Sequence, residues 1–311
     1  MKRRTITAIG LATVAGVVAA DAARRRRAVH EPLAVVSGGE LSKVETSDGA
    51  VLTVHIAGDG PETVVLSHCW TGDMRIWEPV AARLIGDGHR VVRYDQRGHG
   101  ASTVGSDGCG VSRLGQDLRE VLEAVDVRNA VLAGHSMGGM TAQAFVIDHP
   151  EVAAERIRGL VLVATASGGI AALPTTRIVP AVVGSPAIER LLRSRRGQVF
   201  VRGALGKGAS PHAVALTRDT FVATAGYVRR NQFVALSEMD LLESRHSINV
   251  PTTVVVGTRD TLTPPAWAKG IATAIPGAQL VTVPGAGHML PLEATELVAD
   301  LIAGHMDQPA S

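Results

Sequence analysis

The chain has 311 residues, 46% of them apolar, which is enough for a sizeable buried core and excludes a disordered tail. Two cysteines exclude a disulfide scaffold, and no regular spacing of Cys and His suggests a structural zinc. The net charge of +2 hides an asymmetry. In residues 1–30, Lys2, Arg3, Arg4 and Arg24 to Arg27 face Asp21 alone, so the rest of the chain is acidic and gives no electrostatic reason for a nucleic-acid partner.

Residues 1–40 read as a leader. Three bases precede an apolar run from Thr5 to Ala20, which as a helix would span roughly 24 Å, short of the ~30 Å hydrocarbon core. The run fits the apolar region of a signal peptide, with Ala20-Asp21-Ala22 as its cleavage site. Arg24 to Arg27 resist translocation and suit an anchor instead. Export or membrane association through residues 1–27 is the expectation; a leader that does neither would leave the protein cytoplasmic.

From residue 41 onward short β-branched runs alternate with helical patterns, the signature of an α/β architecture with a largely parallel sheet. Strands are expected at Val51–Ile56, Thr63–Ser67, Arg90–Tyr94, Ala130–Ala133, Leu160–Ala164, Thr252–Val256 and Leu280–Val283. Leu114, Leu118, Val121, Leu122 and Val125 form one apolar helical stripe, and a second helix is expected over Pro291–Ala303. Between Thr165 and Asn249 helical stretches follow one another without a core strand. A segment of that length is a helical insertion, not a loop. The domains are therefore a core of 41–164 and 250–306 with an insertion at 165–249. The insertion carries Arg177, Arg190, Arg193, Arg195, Arg196 and Arg202, read as a solvated face, and Phe200, Phe221 and Phe233, read chiefly as glue between insertion and sheet.

The sharpest chemical signal is Gly134-His135-Ser136-Met137-Gly138, a G-x-S-x-G motif between a buried strand and a helix. A strand that turns at once into a helix strains the serine and exposes its hydroxyl, and Gly134 and Gly138 let neighbouring backbone pass close. A weakly acidic hydroxyl needs a base, and the base needs an orienting carboxylate. Asp260 follows one predicted strand and His288 the next, giving the order Ser136, Asp260, His288. Thr165 to Ser167 offer no acid at the preceding strand end. Asp95 and Arg97 read as a structural turn, His68 and His135 as shaping the loop and elbow, and Cys69 as a small loop residue.

With these motifs in place the sequence resembles the α/β-hydrolase superfamily over roughly 44–303. Asp95 to Ser102 is similar to its D-x-R-G-x-G-x-S loop, Gly257 to Pro264 to its acid loop and Gly285 to Glu293 to its histidine loop. The resemblance implies an α/β-hydrolase fold, a mostly parallel central sheet flanked by helices, with 165–249 as a cap inserted late. It implies an oxyanion hole from the backbone N–H groups of Met137 and Trp70, where Cys69 replaces the family's glycine. It implies no metal and no organic cofactor. If the chain is exported, Cys69 and Cys109 could pair.

The expected activity is cleavage of carboxylic esters through an acyl-enzyme at Ser136, on a small uncharged, partly aliphatic substrate admitted under the cap. The same triad resembles that of cofactor-free haloperoxidases (perhydrolases) and of carbon–carbon bond hydrolases. A hydrolase fold turned small-molecule receptor is the weakest reading, because all three triad candidates are present. The sequence leaves acyl and alcohol specificity and the oligomeric state open.

Overall fold

The computed structural model describes residue 36, residues 38–170 and residues 178–306, without the side chains of Arg195 and Phe200. The leader and Arg177 lie outside the described residues. Eight strands make one sheet: β1 (Glu40–Glu45), β2 (Val51–Ala57), β3 (Thr63–Ser67), β4 (Arg90–Tyr94), β5 (Ala130–His135), β6 (Ile157–Val163), β7 (Thr252–Gly257) and β8 (Gln279–Val283). Their order is β1-β2-β4-β3-β5-β6-β7-β8, antiparallel on both sides of β2 and parallel from β4 to β8. Every residue of β3 and β5 is buried, as the uninterrupted apolar runs of a doubly covered parallel sheet require.

Helices cover both faces. On one lie α1 (Glu78–Gly86) and, at the C-terminus, α12 (Thr295–Ala303) after the short α11 (Leu290–Glu293). Val80, Leu84, Leu297 and Ile302 pack there against Val64, Leu66 and Val131. The other face takes α2 (Val111–Ala124), α3 (Met137–Asp148) and α10 (Pro265–Ala274), through Leu118, Leu122, Phe145 and Ile271 against Val65, Leu132 and Val254. α3 is buried from Met137 through Val146, whereas α2 buries one face, Leu114, Leu118, Val121 and Leu122 of the predicted stripe together with Val111, Gly115 and Asp117, and Val125 is half-buried just past its end. A short helix, α4 (Pro150–Arg156), leads into β6.

Between β6 and β7 the chain forms α5 (Val179–Val183), α6 (Pro186–Leu192), α7 (Arg195–Arg202), α8 (Pro211–Ala223) and α9 (Gly226–Glu238), with no strand among the described residues. A fully buried guanidinium knits these helices together. Arg229 on α9 donates to Val183 O at 2.6 Å, to Phe221 O at 3.1 Å and to the Glu189 carboxylate at 2.6 Å, and also bonds Thr224 O.

Candidate active site

The elbow is a single residue wide. β5 ends at His135 and α3 begins at Met137, leaving Ser136 to make the turn at φ 54°, ψ −112°. A non-glycine residue held there costs about 1–3 kcal/mol. Crowding explains the flanking glycines. A Cβ on Gly134 would sit 2.3 Å from Gly138 O, and one on Gly138 would sit 2.1 Å from Ser67 O. Ser67 pairs with Gly134 across the β3–β5 ladder, so the loop after β3 lies directly beside the elbow.

Asp260 and His288 meet from the ends of β7 and β8, where His288 Nδ1 donates to Asp260 Oδ2 at 2.9 Å. Asp260 Oδ1 accepts from the N–H groups of Leu262 and Thr263, both at 2.9 Å, and Oδ2 from the Thr263 hydroxyl at 2.8 Å. Burial alone would raise this carboxyl's pKa; the His288 charge and the donated hydrogen bonds outweigh it and hold Asp260 below its ordinary range. His288 is tied to the elbow from behind. His135 Nε2 donates to His288 O at 2.9 Å, with the two rings 5.0 Å apart. The loop is stapled further by Glu293, whose carboxylate accepts from Gly287 N–H at 3.0 Å, Met289 N–H at 2.9 Å and Gly206 N–H at 2.6 Å. His288 N–H donates to Ala204 O at 2.9 Å, so the helical segment between β6 and β7 touches the loop that carries His288.

Met137 opens α3, where the first N–H groups have no intrahelical acceptor. Among the described residues neither Met137 N–H nor Trp70 N–H has a hydrogen-bond partner. The Trp70 side chain packs against Phe221 of α8 and Phe233 of α9, at 6.0 and 5.4 Å between centroids. Two of the three insertion phenylalanines thus act as the expected glue. Cys69 does not have the positive φ that would need a glycine; Thr71, at φ 59°, carries the loop's left-handed turn. Cys69 and Cys109 are both free, so the disulfide considered for an exported chain is not formed. Burial pushes the Cys69 thiol up to about 12, which removes it as a nucleophile.

Asp95 and Arg97 are structural. Asp95 accepts from Met74 N–H and Ala101 N–H, each at 2.8 Å, and the buried Arg97 binds Asp48 and Asp117. Arg190, Arg193, Arg196 and Arg202 are exposed, as a solvated face requires. Sequence reasoning missed Thr263, Glu293, Thr165 and Gln96. The first two lie within the acid-loop and histidine-loop motifs and were findable as polar residues following Asp260 and His288. Thr165 and Gln96 are joined to the elbow only by the tertiary fold.

His135 and His99 are buried and neutral, each held at about 3 by burial first and a neighbouring histidine second. A depressed folded-state pKa means the unfolded chain binds the extra proton. The stabilisation is therefore complete above about 6.5 and is lost as pH falls towards 3, at up to about 1.4 kcal/mol per pH unit for each group. His135→Phe is expected to unfold with a pH slope shallower by about that amount between pH 6 and 4. Urea denaturation at stepped pH measures it, and parallel slopes for the two proteins would refute it.

A family model described as the alpha/beta hydrolase family matches residues 64–301, and the chain belongs to that family. It is 30% identical to a non-heme chloroperoxidase of Burkholderia pyrrocinia over 254 residues, 78% of this chain and 91% of that protein. It is 26% identical to a bifunctional esterase/perhydrolase of Acinetobacter calcoaceticus, covering 85% of this chain and 99% of the relative. Among solved structures, a hydrolase from Pseudomonas aeruginosa superposes with a TM-score of 0.73 at 30% identity, over 88% of this chain and 100% of that one.

Proposed function

We propose that the protein is a serine esterase in which Ser136 is the nucleophile, His288 the general base and Asp260 the residue that orients it. The observation that carries this reading is the His288–Asp260 hydrogen bond, set beside a strained Ser136 and two N–H groups without a partner among the described residues. Ser136 Oγ attacks the ester carbonyl while His288 Nε2 takes its proton. The Asp260 carboxylate supports the imidazolium, and Met137 and Trp70 N–H groups hold the oxyanion. His288 returns the proton to the leaving alcohol; water then attacks the acyl-enzyme by the same route and releases the acid. The insertion 165–249 is read as the cap, because it contacts both Trp70 and the His288 loop. Its apolar and aromatic content favours an uncharged, partly aliphatic acyl group.

A second reading keeps every residue and changes the deacylating nucleophile. If hydrogen peroxide replaces water at an acetyl-enzyme, the product is peracetic acid and free Ser136. The similarity to a chloroperoxidase and to an esterase/perhydrolase favours weighing it. The exposed cap arginines give no support to a substrate carboxylate there, and hence none to a carbon–carbon hydrolase.

A fluorophosphonate is expected to add once, at Ser136, as read by intact mass and peptide mapping. Turnover of a p-nitrophenyl ester series should accompany it, and the chain-length optimum would size the acyl pocket. Monochlorodimedone bromination in acetate and peroxide separates the perhydrolase from the plain esterase. Folded protein with no adduct and no ester turnover would put the non-catalytic binding fold first.

A further inference from the structure

In a planar trans peptide the carbonyl and the N–H that follows it point in opposite directions, so fixing the oxygen aims the hydrogen. Both N–H groups assigned to the oxyanion hole follow carbonyls held by more than one donor. Ser136 O, paired with Met137 N–H, accepts from Gly139 N–H at 2.9 Å, Met140 N–H at 3.1 Å and the Thr165 hydroxyl at 2.6 Å. Cys69 O, paired with Trp70 N–H, accepts from Gly72 N–H at 3.0 Å and His68 Nδ1–H at 2.8 Å. The His68 tautomer is set by Gln96, whose backbone N–H donates to His68 Nε2 at 2.9 Å.

The Gln96 side chain joins the two halves. Its amide donates to His68 O at 2.5 Å and its carbonyl accepts from the Thr141 hydroxyl at 2.7 Å, and Thr141 lies one turn along α3 from Met137. Gln96, Thr141, Thr165 and His68 are all buried. The approach of Thr165 is built into the backbone. Ala164 before it is held at φ 46°, and a Cβ on Gly139 would come within 2.7 Å of the Thr165 side chain. Ser136 O already has two helical donors, so the third is not needed to satisfy a buried carbonyl.

We propose that Thr165 and the Gln96–His68 pair are positioning residues that aim the Met137 and Trp70 N–H groups at the reacting carbonyl oxygen. The inference rests on the serine-hydrolase reading above. Loss of a whole oxyanion donor costs about 10²- to 10³-fold in kcat, so a misaimed one costs less.

Thr165→Val keeps the shape and removes only the third donor, leaving no unsatisfied carbonyl. It is expected to lower kcat on p-nitrophenyl acetate about tenfold with KM within about twofold of wild type. The inhibition constant of a phenylboronic acid, which mimics the tetrahedral state, should rise by a similar factor. Thr165→Ser should recover most of both, and far-UV circular dichroism should not change. Gln96→Leu, which removes the side-chain link between His68 O and the Thr141 hydroxyl but keeps the backbone N–H on His68 Nε2, should also lower kcat and weaken boronate binding. Wild-type kcat and boronate affinity in Thr165→Val would overturn the proposal, as would a loss that Thr165→Ser does not recover. A wild-type protein with neither ester turnover nor phosphonate labelling would instead sink the serine-hydrolase reading, and this inference with it.

Discussion

Replacing Ser136 with alanine is expected to lower kcat on p-nitrophenyl acetate by at least about 10⁴-fold, with the fold unchanged. Removing a nucleophile from a triad typically costs 10⁴- to 10⁶-fold, and what survives comes from substrate binding and oxyanion stabilisation. Stability should barely move. The Ser136 hydroxyl has no hydrogen-bond partner among the described residues, and the turn is held through its backbone, by Ser136 N–H to Val163 O at 2.9 Å and by the donors on Ser136 O. Alanine also inherits the same positive φ, so the strain is neither relieved nor increased. Ser136→Gly, by contrast, should melt higher, because glycine reaches φ 54° without the penalty. Asp260→Asn tests the other end of the chain of contacts. The amide cannot hold the His288 tautomer as the carboxylate does, and about 10⁴-fold of kcat should go with it. Steady-state kinetics with intact mass after fluorophosphonate treatment checks the set. Ester turnover by purified Ser136→Ala at even a tenth of the wild-type rate would end the nucleophile assignment.

Most of the sheet was legible because its central strands β3, β5, β6 and β7 are buried on both faces, which writes them as apolar, largely β-branched runs, and even the edge strand β8 keeps Val281 and Val283 buried. β1 was not, since it lies at the sheet edge with only Val44 buried and is formed by its antiparallel ladder to β2. α1 was missed for a related reason: Pro79 opens it and Val80, Ala81 and Leu84 supply too short a stripe. The nucleophile, acid and base candidates were readable because each follows a strand at the same edge of the sheet, inside a local motif. The residues that orient them are spread through the chain. Thr165 and Gln96 reach the elbow across the ladders of β3, β4, β5 and β6, and His135 reaches His288 across 153 positions of sequence. Contacts of that kind leave no periodic trace in a single sequence.

Arg97 is where the motif and the fold meet, and its loss should be the most damaging single change outside the site. The guanidinium is fully buried and donates to both Asp117 oxygens at 2.6 Å, to the Asp48 oxygens at 2.9 and 3.0 Å, and to Gly108 O at 2.7 Å. One side chain thereby ties the loop after β4 to α2 and to the turn between β1 and β2. Removing one partner of a buried ion pair costs about 3–5 kcal/mol, because the carboxylates left behind are neither solvated nor neutralised. Arg97→Met should lose that much in urea unfolding, a large share of the 5–15 kcal/mol typical of a folded domain. Asp48→Asn should lose less, since Arg97 keeps Asp117 and Gly108 O. The same contact decides the acid behaviour of Asp48, whose carboxyl the Arg97 hydrogen bonds hold well below the ordinary range. Its stabilisation is present above about pH 3.8 and fades only as pH falls below that, so the deficit of Asp48→Asn should be full at neutral pH and should narrow as pH falls below about 3.8. Activity per folded molecule should be preserved in both variants at low temperature. If Arg97→Met were as stable as wild type but inactive, Arg97 would belong to the reacting centre and the D-x-R-G-x-G-x-S loop would need a chemical role.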